Sequence, residues 1–584
     1  MRTHGSPWVP VFVMAAVSGL LAQQPRDNRP GGPIGTALIA GRVVTQDAEA
    51  RPVRKAIVTL RSDDGRVQRA AIADDAGAFV FAELPAGRYG LEAARHGWPR
   101  IALGASRPHQ RGTPINVAAG QQMTGATIRM PRGAVLTGTI VDHAGHPLAH
   151  TTIVAYRLSY RNGERRLARY REVQTDERGG YRLFGLAAGE YAVATSGPPS
   201  AFADVDEIYA SGEVDVGRSL AGSRRARLPR LGVDGAPLPT ALGYAPVYYP
   251  GTSFRAEATL IPVGAGEERS SLDFEVGLAQ TLPVGGYVNA PRGVPLQSVT
   301  VVLRALFDDV SGVESHDDRR AVPGSDGSFL FSRVPPGRYE LAATTTPRGP
   351  VNQELWGTAS VTVAGDHVPS TTVTLQPTLT LSGRAAFEGE SAPRPDGLQI
   401  RIELVPLSGG GRRIAEVAAS GNFTIAGLIP GRHWLTANVS GARPERGWAL
   451  KSAVINGADA LDAPLDLRSG GSEALVTFTD RIATLSGSVQ DAAGRPAPEH
   501  FVVVFSANPR FWFPMSRRVR AVRPTLDGRY EFDNLAPGEY FITTVRDVED
   551  GEWYDRAWLQ GFAASAARIS IAEGDKQIRD LRVE

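Results

Sequence analysis

Three histidines fall within one short turn, His143-Ala-Gly-His146-Pro-Leu-Ala-His150. Imidazoles grouped in this way could hold Zn²⁺ through three nitrogens and leave a fourth position for water, the layout of a hydrolytic zinc site. They also read as exposed turn residues, because another turn of the same kind carries Arg495 opposite His146. A second constellation is aromatic. Phe511-Trp512-Phe513 is followed by Arg517, Arg518 and Arg520, and Trp553-Tyr554 and Trp558 come later in a stretch that predicts one or two helical turns. Flat rings stack on sugar faces or fill a partner's pocket, and neighbouring guanidinium groups add hydrogen bonds. The predicted ligand-binding set is therefore Phe511, Trp512, Phe513, Arg517, Trp553 and Trp558, and the predicted metal set is His143, His146 and His150. The competing reading puts the aromatics inside the chain's own fold.

Other chemistry lacks its motifs. The phosphate loop G-x-x-x-x-G-K-[ST], H-E-x-x-H, G-x-S-x-G and the EF-hand loop are all absent from the sequence, so no cofactor is expected and no catalytic residue is assigned. There is no cysteine, which excludes disulfides and thiolate sites. Lys+Arg is 63 against Asp+Glu 61, a net charge of +2, so no strong field is available for nucleic acid.

The elements that position these residues follow from turns. The 584 residues include 65 Gly and 42 Pro, with 42% hydrophobic residues, which points to many short strands around real cores rather than a helical bundle. One pattern recurs five times: Leu84-Pro-Ala-Gly-Arg-Tyr89, Leu186-Ala-Ala-Gly-Glu-Tyr191, Val334-Pro-Pro-Gly-Arg-Tyr339, Ile429-Pro-Gly-Arg-His-Trp434 and Leu535-Ala-Pro-Gly-Glu-Tyr540. An alternating strand precedes each copy: Phe79-Val-Phe81, Tyr181-Arg-Leu-Phe184, Phe329-Leu-Phe331, Phe423-Thr-Ile425 and Tyr530-Glu-Phe532. Each unit opens with a glycine inside a strand, at Gly41, Gly138, Gly286, Gly383 and Gly487, and runs 46–51 residues to its Pro-Gly-type glycine. In the fourth copy His433-Trp434 stands where tyrosine is expected, which predicts a one-residue shift or bulge. A closing hairpin is predicted to pair Ile115-Asn-Val117 with Ala126 to Met130, with counterparts in the third and fifth copies.

Seven or so short strands per hundred residues predict antiparallel β-sandwiches. The division is a signal peptide 1–22 with an apolar core Trp8 to Leu21, a linker 23–35, and sandwiches at 36–132, 133–279, 280–377, 378–480 and 481–584. The second carries a stretch 200–242 poor in alternation, read as a mobile insert. The fold class is all-β, five tandem sandwiches after a signal peptide, with no transmembrane helix in the mature chain.

The string Gly41-Arg-Val43, Ala56-Ile-Val-Thr-Leu60, Asp74 to Gly77, Phe79, Phe81 and Leu84-Pro-Ala-Gly-Arg-Tyr89 resembles the carboxypeptidase regulatory-like domain. The resemblance covers essentially all of the expected mature chain, in five tandem copies, and is best in the first, third and fifth. It implies a transthyretin-like sandwich within a carbohydrate-binding-like fold group, in a secreted bacterial protein of the cell envelope. The H-x-x-E zinc motif of the peptidases that carry such domains is missing, so peptidase activity is not implied. The expectation is a secreted or periplasmic, non-catalytic binding or adhesion-type protein, its sandwiches strung as a rod, with polysaccharide or an envelope protein as partner. The alternatives are a structural spacer and a metal- or carboxylate-dependent hydrolase.

Overall fold

The computed structural model describes residues 34–583, apart from 162, 196–240, 245, 253–254, 307–317, 346–353, 365–366, 390–397, 408–410, 441–446 and 469–471. The signal segment 1–22, most of the linker 23–35 and all but the end of the insert 200–242 lie outside the described residues. No helix among the described residues is long and apolar enough to cross a membrane.

Each repeat is built around its opening strand. In the first, Ala37–Thr45 pairs antiparallel with Ala78–Leu84 and parallel with Gln122–Met130. A second sheet orders Gln68–Ile72, Ile57–Ser62, Gly87–Arg95 and Trp98–Ala102, with Ile115–Val117 also on Gly87–Arg95. Side chains alternate across each strand, so Ile39, Val43, Val58, Leu60, Phe79, Phe81 and Tyr89 meet between the sheets. The same plan recurs around Ala134–Asp142, Leu278–Asn289, Leu379–Glu388 and Thr484–Gln490, each with its own core. The chain is thus all-β, in five tandem sandwiches.

The predicted closing hairpin does not form. Ile115–Val117 joins the second sheet, whereas Gln122–Met130 crosses to the first and lies parallel to the opening strand. The third and fifth copies split in the same way, with Leu355–Val363 and Thr371–Thr374, and with Ala567–Ile571 and Leu581–Arg582. Short range favours a hairpin, but bridging the two sheets closes the core on both faces.

This parallel neighbour explains the opening glycine. A Cβ on Gly286 would stand 1.8 Å from the carbonyl oxygen of Thr371 and 2.9 Å from the ring of Phe329. Only glycine admits both the backbone and the ring. In all five copies this glycine faces the first aromatic of the antiparallel strand beside it: Gly41 with Phe79, Gly138 with Tyr181, Gly286 with Phe329, Gly383 with Phe423 and Gly487 with Tyr530.

The turn tyrosine is a latch. The hydroxyl of Tyr89 donates to Pro85 O at 2.8 Å, Tyr191 to Ala187 O at 2.7 Å, Tyr339 to Pro335 O at 2.9 Å and Tyr540 to Ala536 O at 2.6 Å. The fourth copy keeps this register, contrary to the expected shift. His433 pairs with Leu465 as Tyr89 pairs with Ile115, and it is buried. Its shorter ring stays beside Gly431 O at 3.1 Å. Period-2 alternation then turns Trp434 to the outer face.

The fifth sandwich gains a third layer. Every residue of Phe501–Ser506 is buried. Val502 and Val504 face the sandwich core, while Phe501, Val503 and Phe505 face a second apolar cluster with Trp512, Val548, Trp553 and Leu559. Residues 546–566 cover that outer face and include the helix Arg556–Ala563, whose start is capped by Asp555 accepting from Trp558 N at 2.9 Å.

Candidate functional site

The predicted metal set is not assembled. His143, His146 and His150 are exposed on their turn, and His146 Nδ1 lies 3.4 Å from Asp142 Oδ2. Asp142 accepts from the backbone N–H groups of Ala144 and His146, both at 2.8 Å, so this carboxylate organises the turn rather than an ion. Among the described residues no group of three His, Cys, Asp or Glu could hold a metal ion.

The predicted ligand-binding set is brought together only in part, and most of it is used by the protein itself. Trp512 is 6% exposed and its indole N–H donates to Ser506 O at 2.7 Å. Trp553 is 2% exposed in the same cluster, and Trp558 packs on Phe562 at its border. The guanidinium groups of Arg510 and Arg518 lie over Phe511, 4.5 and 4.7 Å from the ring centre. Phe513 leaves the fifth sandwich and stacks on Trp434 of the fourth, 5.0 Å away at 12° between planes. The buried rings fill the outer layer because Phe501–Ser506 is apolar on both faces.

Arg517 serves the same junction. It donates to Asp462 of the fourth sandwich at 2.9 and 3.2 Å, and Arg518 donates to the same carboxylate at 2.8 Å. Burial pushes the Asp462 carboxyl up, but the hydrogen bonds from Arg517 and Arg518 outweigh it and hold the group down to about 2. Lys451 completes the contact by bridging Glu388 at 2.8 Å and Glu573 at 3.0 Å.

A junction that the sequence did not suggest joins the two ends of the described chain. Arg523 of the fifth sandwich is 4% exposed. It donates to Thr113 Oγ1 at 3.0 Å, to Arg111 O at 3.2 Å and to Gly104 O in the first sandwich, and to Pro498 O at 3.2 Å in its own. Burial draws this guanidinium down to about 10, so it is charged at neutral pH. Gln110 donates to Asp547 Oδ1 at 2.7 Å and to Val548 O at 3.0 Å, and Arg107 pairs with Asp547. From the second sandwich, Arg157 reaches Glu549 at 3.0 Å. The fifth sandwich thus touches the first, second and fourth, and the expected rod is folded back on itself. Three residues, Pro131-Arg-Gly133, join the first two sandwiches, and Gly133 packs against Gly97 O and Gly185.

Beside the fourth–fifth junction lies an open groove of ≈ 550 Å³. Its polar lining is Arg401, Glu403, Arg412, Thr436 and Asn438 with Asn534 of the fifth sandwich, and Trp448, Ile414 and Val439 are among its apolar lining. Arg412 pairs with Glu403 within the lining at 3.3 Å, and Arg401 pairs at 3.1 Å with Glu416, which lies outside it, so the groove presents two arginines and one carboxylate, each arginine already paired.

No family model matches the chain, and no curated protein matches it. Solved structures with loosely similar folds include the Streptococcal ancillary pilin, 12% identical with a TM-score of 0.21 over 58% of this chain and 99% of that one. BcpA, the major pilin subunit of Bacillus cereus, is 11% identical with a TM-score of 0.14 over 77% and 99%. The RrgB pilus protein of Streptococcus pneumoniae is 8% identical with a TM-score of 0.14 over 77% and 98%.

Proposed function

We propose that the chain is a non-catalytic binding and adhesion-type protein of the cell surface or envelope, built as a locked frame of sandwiches. Its relation to the carboxypeptidase regulatory-like domain rests on the repeated motif, and the glycine–aromatic pairs and tyrosine latches give that motif a structural role. The observation that carries the reading is the way the chain spends its cations and rings. Arg107, Arg157, Arg517, Arg518 and Arg523, with Trp434 and Phe513, all fix one sandwich against another. Such a frame presents loops and grooves at constant spacing, which suits adhesion to an extended partner.

The ligand class that fits best is a neutral polysaccharide in the groove of the fourth sandwich. A hydroxyl both donates and accepts, so one sugar can satisfy Arg401 and Glu403 together, whereas a charged ligand is repelled by one of them. Polysaccharide pull-down or a glycan array with the whole chain is the test, using Arg401→Ala and Asn438→Ala. Both residues are exposed, so the fold tolerates the changes. The expected result is binding by the native chain, weakened at least tenfold in both variants. Undiminished binding removes the groove from the account. A second reading, an envelope spacer that binds nothing small, is favoured by the same locked junctions and predicts no glycan binding at all.

A further inference from the structure

Residues 546–566 form an excursion over the outer face of the fifth sandwich, and their first turn is acidic: Asp547, Glu549, Asp550 and Glu552 fall within six residues. The cations that pair with them belong to other sandwiches. Arg107 pairs with Asp547 and approaches Glu549 at 3.7 Å, Arg111 donates to Asp550 at 3.0 Å, and Arg157 donates to Glu549 at 3.0 Å. Arg111 also lies over Trp553, 4.9 Å from the ring centre. At the tip of the long hairpin of the second sandwich, Gly163 rests against the backbone of Tyr554; a Cβ there would be 2.5 Å from it. Glu552 is turned inward to accept from Glu549 N at 2.8 Å, and burial pushes its carboxyl up.

Four carboxylates this close repel one another in the fifth sandwich alone, and they oppose the excursion's apolar anchors, of which Val548, Trp553 and Leu559 are buried while Tyr554, Trp558, Phe562, Ala563 and Ala566 pack partly covered around them. We propose that residues 546–566 are a strap held shut by the first and second sandwiches, so that closure between sandwiches decides whether the apolar outer face of the fifth is covered. The closed state buries Phe501, Phe505 and Trp512 under the strap. Loss of Arg157 leaves the partly buried Glu549 uncompensated, and loss of Arg107 or Arg111 leaves the exposed Asp547 or Asp550 among like charges, which favours lifting the strap into water.

The test is hydrogen exchange measured by mass spectrometry on the full chain, for the native protein, Arg107→Asp, Asp547→Arg and the two changes combined. The single charge reversals are expected to speed exchange in 548–563 by about tenfold or more, while Phe501–Ser506 keeps its backbone protection within the sheet. The combined reversal restores the opposite charges across this one pair but leaves Gln110 without its Asp547 acceptor and places a carboxylate at position 107 near Glu549, so exchange is expected to fall part of the way back, by about threefold or more from the single variants. Unchanged exchange in the single variants overturns the proposal. So does a combined variant that stays as fast as the singles, or exchange that rises equally in Phe501–Ser506, since the strap is then no separate unit.

Discussion

Asp462 offers the sharpest check on the locked frame. Its side chain is 12% exposed and receives Arg517 and Arg518 from the fifth sandwich. Those bonds hold its carboxyl at about 2 in the folded state against 3.8 for an ordinary aspartate. A depressed folded value stabilises the folded form above the unfolded value and is lost as pH falls through the folded one. The difference corresponds to about 2 kcal/mol, present at neutral pH and lost between roughly pH 4 and pH 2. Asp462→Asn removes this charge at every pH and strands two arginines, so at neutral pH it is expected to cost about 2–4 kcal/mol. The assay is urea unfolding of native and variant chains across that pH range, with hydrogen exchange at 431–436 and 510–520 reporting the junction itself. The stability gap should narrow by about 2 kcal/mol as the native carboxyl takes up its proton. A gap that stays constant from pH 6 to about pH 2 would mean that the pair carries no charge-dependent stability, and the reasoning about this junction fails.

Two substitutions and one control probe the repeat itself. Tyr89→Phe removes the hydroxyl that reaches Pro85 O and should cost about 1–2 kcal/mol in chemical denaturation without altering the fold. Gly286→Val drives a side chain into the Thr371 carbonyl and is expected to cost more than about 4 kcal/mol or abolish folding of the third sandwich, while Gly90→Ala, with nothing within 4 Å of the new Cβ, should be nearly neutral in the same thermal melts.

Much of the architecture was legible because it is local. The opening glycine, the aromatic pair and the Pro-Gly-x-Tyr turn each describe a backbone need met within one unit, and each recurs in the structure at the expected place. One further local signal went unread. An arginine stands eight residues before the glycine of the turn that leads into each aromatic strand: Arg69 before Gly77, Arg171 before Gly179, Arg319 before Gly327, Arg413 before Gly421 and Arg520 before Gly528. Arg69, Arg319 and Arg520 reach over the sandwich edge to the carbonyls of Ala82, Ser332 and Asp533. Arg171 lies over Phe184, and Arg413 pairs with Glu354 of the third sandwich. The candidate site was less legible. Trp512 and Trp553 look the same in sequence whether they face a sugar or the strand Phe501–Ser506, and only the covering excursion decides between the two.

The sequence by itself determined the repeat unit, its count and the positions of its turns, because these depend on residues within about 50 positions of one another. The tertiary structure alone decided that the closing segment divides between two sheets, that His433 takes the tyrosine position, and that the fifth sandwich returns to the first. Arg523 and Gly104 are 419 residues apart, and no periodicity links them. Their meeting depends on how five separately folded units pack, where a few buried cations and rings settle the arrangement after each core has already formed.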